Sequence, residues 1–371
     1  MRYRRMPIEI ESPEQMGYGN IAYNLSESSI TDVPLRDLNL NLGDLVLAYG
    51  DHYGLPELRE LLTGDGDGLH ADDVLLTVGA AAALFIVNTS LLQAGDHMIV
   101  AHPNYATNVE TPRAIGCSVT TLPLRFEDRF RLDIDRLEAS LTPQTRLISL
   151  TCPHNPTGQM LTEAELYRIL EIVERQRCYL LFDETYREMA YGSVLPLAAS
   201  LSARAISVSS LSKTYGLPGI RMGWLINGDA TLMERFLAAK EQIFISNSVV
   251  DEAIALHFLQ DKAAHLQRIK AHIAERFHIT KSWMESQTAF EWIEPQGGVV
   301  SFPRIRPELP VDINRFYFVL NETYKTFVGP GHWFEQDRRY MRLGFGWPGL
   351  DELRGGLANL NRAVDEASTR R

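Results

Sequence analysis

Cysteine is scarce in this chain: Cys117, Cys152 and Cys178 are the only three among 371 residues. They lack metal-ligand spacing and offer no disulfide framework, which excludes a disulfide-stapled scaffold and suits a reducing compartment, so a cytoplasmic location is expected. Long apolar runs are also missing. The longest begins at Ala80 and is interrupted by Asn88, Thr89 and Ser90, short of the roughly 18 residues a membrane-spanning helix needs, so no membrane role is expected. The basic opening, Met1 to Arg5, is followed by no apolar stretch, and no export signal is expected there. Positive charge is in deficit, with 36 Lys and Arg against 47 Asp and Glu for a net charge of −11. That balance aids solubility and disfavours nucleic acid as a partner. No internal repeat, low-complexity tract or Pro/Gly/Ser-rich linker is present, so any domain division runs through packed structure. His265, His272 and His278 converge on no metal-ligand spacing, and no metal site is expected.

What is present is a globular composition, 45% hydrophobic and 22% charged, in a chain long enough for about two domains. From Val74 to Ile226 short apolar runs recur: VLLTV, HMIVAH, SVTTLPL, RLISLTC, YLLFDE, AISVSS and GWLIN. Helical patterns lie between several of them, including Ala80 to Leu92 and Glu163 to Arg175. Strand–helix alternation of this kind predicts an α/β fold with a mainly parallel sheet sandwiched by helices. After Asp229 the pattern changes to long helices, and from about Thr288 to shorter pieces such as GGVVSFPRI and RYMRLGF separated by helical segments. This predicts a smaller α+β domain. The expected division is a large domain over 41–265 and a small one built from 1–40 and 266–371.

In open α/β sheets, ligands collect beyond the carboxyl ends of the strands. PHNPTG follows RLISLTC, TYR follows YLLFDE, and LSKTYGLPGIRMG follows AISVSS, so one sheet edge gathers polar groups from three strands. Alone, Lys213 reads as a loop lysine, Asp183 as a strand-terminal turn residue, Asn155-Pro156-Thr157-Gly158 as an ordinary turn, and Gly79-Ala80-Ala81 as a plain helix start or an anion site. Taken together and in this order, from Tyr49 to Arg342, these segments resemble the fold-type I pyridoxal-phosphate enzymes, specifically the class I/II aminotransferases.

The resemblance implies pyridoxal 5'-phosphate as cofactor and assigns roles by position. Lys213 would form the Schiff base and move the substrate α-proton, and its amine must be neutral to do either. Asp183 would pair with the pyridine nitrogen. Tyr186 and Asn155 match donors to the phenolic oxygen, and Tyr105 matches the ring that stacks on the pyridine face. Gly79, Ala80 and Ala81 at a helix start, with Ser210 and Arg221, match the phosphate site. Arg342 matches the clamp on the substrate α-carboxylate, where Asn155 also lies. Tyr49, in a Tyr-x4-Gly-x3-Leu-Arg segment, matches a tyrosine that reaches the neighbouring subunit's phosphate, which implies a homodimer.

The activity implied is transfer of an amino group between an L-amino acid and a 2-oxo acid, with small molecules as partners. The same cofactor residues also serve a lyase, cyclase or oxidase acting on an amino acid, including an arginine derivative as in capreomycidine-synthase-like enzymes. A binding protein or regulator on this fold would carry an added DNA-binding helix pair or lack the lysine, and neither feature is found in the sequence. Where the family has a Gly-Pro-containing stretch lining the substrate pocket, this chain reads Asn24 to Ser29. Glu27 there reads as an exposed loop residue or as a group that selects a cationic side chain. His52 reads as structural, Cys152 as a small buried residue, and His332 and Trp333 sit on the loop expected to close near the substrate.

Overall fold

The computed structural model describes residues 1–64 and 66–368. Its centre is a seven-stranded sheet in the spatial order Val74–Val78, Met222–Ile226, Ala205–Ser210, Tyr179–Asp183, Thr145–Thr151, His97–His102 and Ser118–Pro123. Every apolar run noted between Val74 and Ile226 is one of these strands. Only Met222–Ile226 runs against the others, pairing antiparallel with both neighbours, while the remaining ladders are parallel.

The strands are buried on both faces, so they read as continuous apolar runs rather than as an alternation. Side chains still alternate in direction. Leu147 and Leu181 point into a core with Leu84, Val87 and Phe236, from the helices Gly79–Leu91 and Ala230–Glu241. Ile148 and Leu180 point into a core with Leu166, Ile169 and Val173, from the helix Glu163–Gln176. Each such fully buried aliphatic side chain stabilises the fold by roughly 1.5–3 kcal/mol relative to exposure. The helix Glu163–Gln176 begins at a reciprocal cap: Thr162 Oγ1 accepts from Glu165 N, and the Glu165 carboxylate accepts from Thr162 N, which satisfies two otherwise orphaned donors.

Beyond the sheet come the long helices Ala230–Glu241, Val249–Gln260 and Lys262–Glu285. The last part of the chain forms an antiparallel trio of short strands, Val300–Ser301, Met341–Gly344 and Gly329–Pro330, closed by the helix Leu350–Ala367. The N-terminal segment joins this group. Tyr23–Asn24 pairs parallel with Thr326–Phe327, and Gly344 N donates to Leu25 O at 2.7 Å. Among the described residues no helix is long and apolar enough to cross a membrane.

Candidate active site

The register of the sheet brings the chemistry to one edge. Thr151 stands opposite Asp183, and Asp183 opposite Val208, so Asp183 and Ser210 end their strands almost level. Because Met222–Ile226 is antiparallel, it starts where the others stop: Gly223 faces both Thr77 and Ser210. Arg221, just before it, is thereby delivered to the same edge as Ser210 and the start of the helix Gly79–Leu91. That approach is close enough to require glycine, since a Cβ on Gly223 would collide with the backbone of Gly79 and Ala80. Gly79 itself has φ +74°, a left-handed conformation that suits a residue without a side chain.

Above this edge lies a cavity of roughly 390 Å³ whose walls include Ala80, Ala81, Tyr105, Asn155, Asp183, Tyr186, Ser210, Lys213, Arg221 and Arg342. The structure thus gathers ten of the residues singled out in the sequence. Gly79 lies directly behind, where a side chain would strike the Arg221 guanidinium. Tyr49 is not among the lining residues and is 86% exposed. His52 is at the surface, its Nδ1 2.6 Å from Glu241 Oε1. Cys152 is buried.

Three partners that the sequence reading missed hold the site's polar groups. Thr185 donates through both Oγ1 and its backbone N–H to Asp183 Oδ1, at 2.6 and 3.1 Å. A Thr two residues beyond an Asp is the local signal that was available for it. Ser28 O accepts from the Tyr186 hydroxyl at 2.9 Å, and Ser26 O accepts from Arg342 Nη2 at 2.7 Å. These last two contacts join residues that lie 158 and 316 positions apart, and no local pattern encodes them. Ser212, inside the Ser-Leu-Ser-Lys stretch, also lines the cavity and accepts from Arg221 Nη1 at 3.4 Å.

The electrostatics are those of a site built to receive a charged group. Burial pushes the Asp183 carboxyl up, opposed only by the Thr185 hydrogen bonds, so a cation placed beside it would restore the carboxylate. Burial pushes the Lys213 amine down, an effect reinforced by Arg342 and Arg221 and opposed by Glu27 and Glu14. Arg342 is buried with its Nε unpartnered. A protonated pyridine nitrogen beside Asp183, an aldehyde at Lys213, and a phosphate among Ser210, Ser212, Arg221 and the helix start fit pyridoxal 5'-phosphate.

The loop carrying Tyr49 has its own buried support. Lys240 is wholly buried and donates to His52 O at 2.6 Å, and burial lowers its pKa from 10.5 to about 8. The unfolded chain therefore binds this proton more readily than the folded one, and stability rises with pH across that window. From about pH 7 to about pH 10, urea unfolding of wild type should gain roughly 2–3 kcal/mol relative to Lys240→Met. A difference independent of pH would show that folding leaves the Lys240 pKa at its unfolded value, as in a fully solvated amine.

A cofactor cavity at the carboxyl edge of this sheet, with a lysine on the loop after one strand and a carboxylate ending the next, defines a fold-type I pyridoxal-phosphate enzyme. The chain belongs to the aminotransferase class I and II family, whose model matches residues 16–352. It is 31% identical to capreomycidine synthase from Streptomyces vinaceus over 297 residues, 78% of this chain and 74% of that protein. It is 28% identical to arginine–pyruvate transaminase from Pseudomonas aeruginosa, across 71% of this chain and 70% of that one. A pyridoxal-phosphate-dependent aminotransferase from Streptococcus suis superposes on the whole chain with a TM-score of 0.92 at 27% identity, and all of that chain is covered. The enzyme uses pyridoxal 5'-phosphate and acts on amino and oxo acids.

Proposed function

We propose that the chain transfers an amino group between an L-amino acid and a 2-oxo acid, with Lys213 as the group that carries the proton. The observation that carries this reading is the convergence of Lys213, Asp183 and Arg342 on one cavity. When bound, pyridoxal 5'-phosphate supplies an aldehyde that condenses with amines and a ring that takes up the electron pair left on Cα. The protein's part is positioning and proton control. Arg342 orients the amino acid through its α-carboxylate, assisted by Asn155, whose Oδ1 lies 3.4 Å from Arg342 Nη1. Lys213, whose burial favours the neutral amine, takes the α-proton on Nζ and returns it two atoms away, on the far side of the amino nitrogen. Asp183 keeps the ring nitrogen protonated, and Tyr186 and Asn155 serve the ring oxygen. Ser210, Ser212, Arg221 and the Gly79-Ala80-Ala81 helix start hold the phosphate, while Tyr105 packs on the ring.

Tyr49 reaches the phosphate of a second copy in this reading, and the enzyme is a homodimer. Val46, Leu47 and Tyr49 are 76%, 77% and 86% exposed on one loop, an apolar face suited to burial against another chain. Fully active enzyme that sediments as a monomer would overturn this. Three free cysteines support a cytoplasmic setting, checked by cell fractionation.

Single amino acids added to the purified enzyme should shift the visible absorption of the lysine-bound cofactor to that of its amine form, and a 2-oxo acid should restore it. No shift with any amino acid, despite bound cofactor, rules transamination out. The likeness to capreomycidine synthase supports a second reading, a lyase, cyclase or oxidase on the same cofactor residues. Steady product release without any 2-oxo acid acceptor would select it.

A further inference from the structure

We infer that the substrate is a basic amino acid, and that Glu27, with Glu14 and Asp32 beside it, is the group that selects its cationic side chain. This rests on the transamination reading and names the substrate class of that same site. The charges in the cavity are unevenly divided. Lys213, Arg221 and Arg342 are its lining basic residues, whereas Glu9, Glu14, Glu27 and Asp32 line the wall built by the N-terminal segment. Arg221 sits at the phosphate end and Lys213 serves the chemistry. Arg342, 6% exposed and with Nε unpartnered, is the cation left for a substrate carboxylate. A second carboxylate, on an acidic side chain, would face the glutamates with no cation to meet it. A positive side chain would face them with attraction in place of repulsion.

The wall offers acceptors rather than closed ion pairs. Glu9 Oε2 is occupied, accepting from Met6 N at 2.7 Å. Glu27 Oε1 accepts from the Tyr18 hydroxyl at 3.0 Å, and Asp32 Oδ2 accepts from Trp347 Nε1 at 3.0 Å. Both are neutral donors, so each carboxylate is oriented while keeping its charge and its second oxygen. The Tyr18 and Trp347 rings stack, with centroids 6.0 Å apart and planes at 18°. They give the wall flat aromatic surface that favours a cation and the methylene stem leading to it.

Glu27 is also fixed relative to the carboxylate clamp. Arg342 Nη2 donates to the carbonyl of Ser26, the residue before Glu27. Gly344, two residues beyond Arg342, approaches the Glu27 carbonyl so closely that any Cβ there would collide with it. One short strand, Met341–Gly344, therefore sets both the anion-binding and the cation-binding ends. A spacing fixed before binding selects by length as well as by charge.

The test uses holoenzyme and two carboxylates that lack an α-amino group and so cannot react: δ-guanidinovalerate, cationic, and δ-ureidovalerate, its neutral counterpart. By titration calorimetry the cationic probe should bind at least about tenfold more tightly, as expected for a charged hydrogen-bonded contact. Glu27→Gln should bring the two affinities within about twofold of each other while leaving the neutral probe's affinity unchanged, and Glu14→Gln should narrow the gap less. Equal affinities in wild type, or an unchanged ratio in Glu27→Gln, overturn the inference. Holoenzyme that keeps the preference but shows no absorption change with arginine or any other amino acid retains the charge selection and loses the transamination reading. Equal conversion of arginine and citrulline to their oxo acids does the reverse.

Discussion

Replacing Lys213 with alanine should abolish the visible absorption of the loaded enzyme and lower turnover by on the order of 10⁴-fold or more, the scale seen when a residue that forms the covalent link is removed. The size follows from how little else can stand in. Among the described residues Lys213 is the only lysine lining the cavity, and its backbone is pinned there, its carbonyl accepting from Ile30 N at 3.2 Å. Burial lowers the pKa of its amine and so favours the neutral form that both attack and proton transfer require. Cofactor retention should survive, because Ser210, Ser212, Arg221 and the helix start contact the phosphate independently of the lysine in the proposed arrangement. The variant should therefore hold cofactor through dialysis and yet lack the lysine-bound band. Lys213→Arg should fail equally, since a guanidinium stays protonated at any working pH. Persistence of the band in Lys213→Ala would remove Lys213 from the centre of the mechanism.

The large sheet and most of the cavity residues were legible in the sequence because both follow local rules. Strands buried on two faces leave unbroken apolar runs such as VLLTV and AISVSS, and residues after such runs fall at the sheet edge. Strand direction was not legible. Met222–Ile226 has the same apolar signature as its neighbours, yet it reverses, and the reversal places Arg221 beside Ser210 and Gly79. The wall bearing Glu14, Tyr18, Glu27 and Asp32 was hidden for a different reason. Its segment has only short helical turns and the two-residue strand Tyr23–Asn24, whose partner is Thr326–Phe327 at the far end of the chain. Two residues carry no readable periodicity, so the fold of this segment is dictated by distant contacts. Glu27 accordingly allowed two readings in the sequence, exposed loop or pocket lining. In the structure it is half-buried and lines the cavity.

Arg342→Leu should separate catalysis from stability with opposite signs. The Arg342 guanidinium is buried, with the rings of Trp333 and Phe334 5.9 and 5.3 Å away at their centroids. Burial pulls its pKa down, which means that the folded protein pays to keep the charge there. Its hydrogen bonds to Ser26 O and Asn155 Oδ1 are worth about 1–3 kcal/mol each, against several kcal/mol to desolvate an ion without an opposite partner. Leucine gives up those bonds but packs against the same rings, so the thermal midpoint of cofactor-loaded, substrate-free enzyme should rise rather than fall. The catalytic loss should be large, because a bidentate contact to a carboxylate in a dry site is replaced by none. Two charged hydrogen bonds at about 1.5–3 kcal/mol each correspond to a drop of roughly 10²–10³-fold or more in kcat/KM. The loss should fall mainly on KM, since the α-carboxylate is gripped in the ground state and in the transition state alike. Arg342→Lys should recover only a small part, because an ammonium cannot form the parallel pair. A variant that is less stable than wild type and retains its kcat/KM would show that Arg342 is held for packing and not for substrate.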